Sequence, residues 1–117
     1  KASLIRLYGN NYKSNGKIRT TQEIMNGKDF KAVAGMLHVA EATAQIYAID
    51  SFAAGAPIDH VRLANLLQVT EENFEAIRNC IEKNKDHKLR SIRDELVVFS
   101  YNQIRFVLAC MIRDLTL

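Results

Sequence analysis

Three observations predict an all-α fold of about seven helices. Apolar residues recur at the i, i+3, i+4, i+7 spacing that gathers them on one helical face, as at Phe30, Val33, Ala34 and Leu37. Hydroxyl and carboxylate side chains stand just ahead of such runs, at Asp59, Thr70 and Ser100, where they can accept from the free amides of a first helical turn. No stretch alternates polar and apolar residues for long, and Val97-Val98-Phe99 alone favours an extended backbone.

Length and composition bound the answer further. With 117 residues, 48% hydrophobic and 25% charged, the chain can bury one core but not two, and it lies far from the composition of a disordered segment. One Pro, five Gly and the lack of any apolar run near membrane-spanning length exclude collagen-like and transmembrane classes. Lys1 opens the sequence without a basic, apolar, small-residue leader, so the chain reads as part of a longer protein. Cys80 and Cys110 have no paired spacing and sit in apolar helical patterns, which predicts buried, reduced thiols and an intracellular compartment.

Taken in order, residues 9 to 19 combine turn formers with Lys13, Lys17 and Arg19 and read as a loop or arm, preceded by a short apolar piece from Ser3 to Tyr8. Thr20 and Glu23 have capping-box spacing ahead of a short helix over about 21 to 26, which Gly27 ends. The Phe30–Leu37 face follows. A third helix over about 40 to 54 places Ala42, Ile46, Ile49 and Ala53 on one stripe until Gly55 and Pro57 stop it. Asp59 caps a helix carrying Leu63, Leu66 and Leu67, and Thr70 caps one carrying Phe74, Ile77 and Ile81. Residues 84 to 87 are a polar turn, and a short helix holds Ser91, Ile92 and Leu96. Ser100 and Gln103 then form a capping box before Ile104, Val107, Leu108, Met111, Ile112 and Leu115.

Between Phe30 and Tyr47 the spacing is that of a helix-turn-helix. Small Ala34 lets two helices cross closely, Leu37 and Val39 bury the turn, Thr43 opens the second helix and Ile46 closes the core beneath it. His38 stands where the turn usually has Gly, and Ala40 where the second helix usually has a Ser cap. The second helix has no Lys or Arg, and it offers bases only Thr43, Gln45 and Tyr47. Such a helix is poorly equipped for direct readout, which draws on cations for phosphates and polar forks for base edges.

From about Thr20 to Ile112 the sequence resembles the helix-turn-helix domain at the C-terminal end of RecQ-type DNA helicases, the group that includes the Werner helicase. The resemblance rests on Phe30 to Ile46, on Gly55-Ala56-Pro57-Ile58-Asp59, and on Lys88 to Arg93 followed by Ser100 to Arg105. It implies a noncatalytic accessory domain over residues 20 to 117 behind an arm or linker over 1 to 19. Its partners would be DNA, whether duplex, single-stranded or forked, and other domains of the parent helicase. ATP hydrolysis would reside in a motor elsewhere, and the compartment would be nuclear in a eukaryote or the bacterial cytoplasm. The chain agrees in having no Gly-x-x-x-x-Gly-Lys-Ser/Thr phosphate loop.

Charge narrows the candidate contacts. Residues 1 to 31 carry seven Lys or Arg against two acids, residues 32 to 82 two against seven, and residues 83 to 117 seven against four. Lys83, Lys85, Lys88, Arg90 and Arg93 crowd one short stretch and suit a phosphate backbone or a solvated face. Arg105 either joins them or pairs with Asp94 or Glu95. Lys17 and Arg19, near Tyr8 and Tyr12, suit a DNA-contacting arm or an inert linker. His38, His60 and His87 lack metal-ligand spacing, and no cofactor, membrane or small-molecule substrate is expected. The rival reading is a protein-interaction module in which Glu71, Glu72 and Glu75 meet a basic partner.

Overall fold

In a computed structural model of the chain, residues 15–84, 92 and 94–117 are described, and among them lie six helices and no strand. They are α1 (Asn15–Met25), α2 (Phe30–Leu37), α3 (Glu41–Ala53), α4 (His60–Leu66), α5 (Glu71–Lys83) and α6 (Tyr101–Ile112). The all-α expectation holds. Helix α3 is the hub, since α1, α2 and α6 all pack on it, while α5 packs on α6.

The caps explain where most helices begin. Asp29 accepts from the Ala32 amide at 2.8 Å, Asp59 from Arg62 at 3.3 Å and Thr70 from Asn73 at 3.1 Å. Ser100 and Gln103 close the expected capping box, and the Gln103 side-chain amide also donates to the Leu67 carbonyl at 3.1 Å. At the end of α1 the Arg62 guanidinium donates to the carbonyls of Ile24 and Lys28, closing acceptors a helix end would otherwise leave open.

Two local expectations are overturned. Residues 15 to 19 are not loop but the first turns of α1, and Thr20, completely buried, lies inside that helix rather than capping it. Residues 9 to 14 lie outside the described residues. Val97-Val98-Phe99 forms a turn rather than an extended segment, because no strand among the described residues pairs with its backbone.

The core is one cluster. Val33 and Ala34 of α2 meet Ala44, Ala48, Ile49 and Phe52 of α3, joined by Ile24, Leu63, Phe74, Ile77, Ile81 and most of α6. The buried stripe of α3 is rotated from the one the spacing suggests. Ala42 is exposed and Ile46 half-buried, while Ala44, Ala48 and Phe52 are fully buried, so small side chains line the face on which α6 and α1 converge. Phe52 stacks on Phe106 with ring centroids 6.0 Å apart, and the Arg113 guanidinium lies 4.6 Å over the Phe52 ring while donating to the carbonyls of Phe52 and Ala56. Phe52 therefore completes the core.

Candidate nucleic-acid interface

The turn between α2 and α3 is intact despite its residues. His38 takes the left-handed conformation, φ 56°, that the usual Gly reaches at less cost, and the Val39 amide closes back onto the Ala34 carbonyl at 3.1 Å. Val33 and Ala34 are buried, with Leu37 and Val39 packed against the core. Ala40 caps α3 through its extended backbone alone, without a side-chain hydrogen bond.

Helix α3 itself has little to offer a base edge. Only Glu41 and Ala42 are exposed along it, and Thr43 is half-buried. The Gln45 side-chain oxygen accepts from Asn102 of α6 at 2.8 Å, and Asn102 also donates to the Ala42 carbonyl. The fork the sequence offers to a base is thus holding two helices together. Tyr47 lies over Gly16, where a Cβ would come within 3.0 Å of the ring.

The candidate cations separate into two groups. Lys17 faces inward, its ammonium 3.0 Å from Asp50 with both side chains largely buried, so it ties α1 to α3 instead of reaching for phosphate. Arg62 and Arg113 brace carbonyls, and Arg78 bridges Glu75 and Glu82 along α5. Exposed and without an ion pair among the described residues are Arg19 on α1, Lys28 and Lys31 around the start of α2, and Lys83 at the end of α5. Lys28 and Lys31 were not among the sequence candidates; they flank Asp29, whose carboxylate already accepts from the Ala32 amide at the start of α2. Lys85, Lys88, Arg90 and Arg93 lie outside the described residues.

Arg105 pairs with neither Asp94 nor Glu95. It is half-buried on α6 with its Nε enclosed and unpartnered, and Glu95 accepts instead from the Cys80 thiol at 2.9 Å and from Asn84 at 3.0 Å. Those two hydrogen bonds hold the Glu95 carboxyl below its ordinary range. Burial, then the contact with Glu95, pushes the Cys80 thiol up to about 11, and burial pushes Cys110 up to about 12. Both are free, buried thiols. Among the described residues no three His, Cys, Asp or Glu side chains gather as a metal site requires, and no helix is long and apolar enough to cross a membrane.

A family model described as "Helix-turn-helix domain" matches residues 17–108, which takes in α1 through most of α6. The chain belongs to that family. No curated protein and no solved structure matches it. The family match covers both the intact α2–α3 turn and α6, the helix that covers α3. In this helix-turn-helix domain the second helix of the motif is therefore a structural centre, flanked by α1 on one side and α6 on another.

Proposed function

We propose that this helix-turn-helix domain is a noncatalytic accessory module of a RecQ-type DNA helicase, holding DNA mainly through its phosphate backbone. The single observation that carries the reading is the division of charge: α3 has no cation and its Gln45 fork is bound to Asn102, whereas Arg19, Lys28, Lys31 and Lys83 stand exposed, with no ion pair among the described residues. Phosphate contacts need cations rather than polar forks, and they position a protein without reading sequence. The RecQ assignment rests on the sequence resemblance over Thr20 to Ile112, with the short basic stretch Lys88 to Arg93 adding further cations. On the same ground the parent protein hydrolyses ATP in a separate motor and works in the nucleus of a eukaryote or the cytoplasm of a bacterium.

Fluorescence anisotropy of single-stranded, duplex and forked DNA, at two salt concentrations, tests this. Binding at about micromolar affinity that weakens with salt is the expected result, and a Lys88→Glu, Arg90→Glu variant reduces the salt slope by about two. Binding that ignores salt, or a folded domain that binds no DNA, refutes it. The latter result selects the protein-interaction reading, which the exposed Glu71 and Glu72 at the start of α5 favour.

A further inference from the structure

We propose that the cleft between the start of α3, the end of α4 and the approach to α6 docks an extended peptide of a partner protein, one carrying an Arg or Lys side chain beside an aliphatic residue. The cleft has a volume of about 420 Å³, within the range of sites that hold a side chain and a stretch of main chain. None of the exposed cations of α1 and α2 lines it, and its chemistry is the opposite of theirs.

Charge decides the class of occupant. Among the described residues Glu41 is the only ionised side chain in the lining, and it has no ion pair there. Its field repels a phosphate and attracts a guanidinium or an ammonium. Leu66, Leu67 and Val98 supply apolar wall. Val97 is 67% exposed and Val98 82%, two adjacent aliphatic side chains on one turn with no cover. An aliphatic side chain in the lining beside a carboxylate fits a cationic side chain flanked by an apolar one, the stem of the cation lying along Val98.

The remaining polar groups are arranged for a peptide backbone. Asn102 occupies the Gln45 oxygen and leaves the Gln45 amide nitrogen able to donate. Ser100 accepts from the Gln103 amide and keeps its hydroxyl proton. Gln103 is bonded at both ends, to Ser100 and to Leu67, and so makes a fixed wall. Gln68 holds φ 61° just past the end of α4, a conformation that Gly adopts more cheaply, and its side chain reaches the cleft. That conformation is the left-handed ending common to helices, closed by the Val69 amide on the Ala64 carbonyl at 2.8 Å, and it holds Gln68 at the edge of the cleft.

The experiment is an NMR titration of the isotope-labelled 117-residue chain with acetyl-Leu-Arg-Leu-amide, with acetyl-Leu-Glu-Leu-amide as control. The arginine peptide shifts amides at 41, 45, 66 to 68 and 97 to 103, and the glutamate peptide does not. Glu41→Gln weakens binding about tenfold, the loss expected for one charge-assisted hydrogen bond. Gln68→Gly melts no lower than the parent chain yet binds the peptide more weakly. Equal binding of the two peptides, shifts scattered away from the cleft, or undiminished affinity in Glu41→Gln overturns the proposal. So does a DNA duplex that moves these same resonances where the peptide does not, an outcome that would assign the cleft to nucleic acid.

Discussion

Substituting Lys17→Met leaves the Asp50 carboxylate, its side chain only 14% exposed, without the ammonium that now lies 3.0 Å away. At that separation and an effective dielectric of about 20, the gross attraction is about 5 kcal/mol. Desolvation of the two charges takes back a large part of this, so the coupling that survives is about 2 kcal/mol. The single substitution destabilises by more than the coupling, about 3 kcal/mol, because an uncompensated charge stays behind in a nearly closed site. Asp50→Asn destabilises as well, and the double variant loses less than the two singles combined. Urea denaturation followed by far-ultraviolet circular dichroism on the four proteins of this cycle measures the coupling. A coupling below about 0.5 kcal/mol would refute the reasoning, since it is what a solvated surface pair shows. The same variant separates structure from recognition: at temperatures where it stays folded, Lys17→Met binds DNA as the parent chain does, whereas Arg19→Glu weakens binding.

Two more predictions follow from backbone and thiol chemistry. His38→Gly relieves the left-handed strain at the α2–α3 turn and, after the entropy that Gly adds to the unfolded chain, raises stability by about 0.5 kcal/mol, read as a higher melting temperature; a lower one would mean that the imidazole contributes packing to the turn. Cys80 and Cys110, raised from 9.0 to about 11 and about 12, keep their protons in the folded chain where the unfolded chain ionises, so the stability they contribute is full below about pH 9 and is lost as pH rises through those values. At pH 8 an aromatic disulfide reagent accordingly reacts about a hundredfold more slowly with the folded chain than with the urea-unfolded one; equal rates would show that the thiols are open to solvent.

What was legible in the sequence was whatever local physics decides. The starts of α4, α5 and α6 follow from Asp59, Thr70 and Ser100 because a cap is made within three residues of itself. The α2–α3 turn was legible from Val33, Ala34, Leu37 and Val39 for the same reason. The beginning of α1 was not, since Asn15 and Gly16 argue for a turn and are overruled by Tyr47 and Asp50, more than thirty residues away. Distance in sequence hid the candidate site in the same way. Nothing near Gln45 announces that Asn102 will hold it, and nothing near Arg105 announces that Cys80 and Asn84 will take Glu95 first. Lys28 and Lys31 could have been found by asking which cations sit at a helix start, a question the density of charge after Lys83 obscured.

The placement of α6 against α3 also sets an order of events during synthesis. Asn102 bonds to Ala42 and Gln45, and Arg113 to Phe52 and Ala56, across 57 to 61 residues of chain. Chains emerge from the ribosome N-terminal end first, and long-range contacts are slow to close. Helices α1 to α3 are therefore made early but wait for α6, with Phe52 and the small-residue face of α3 uncovered in the interval. A nascent chain stalled before residue 101 should be protease-sensitive throughout its helix-turn-helix, and protection should appear in one step once α6 is free to dock.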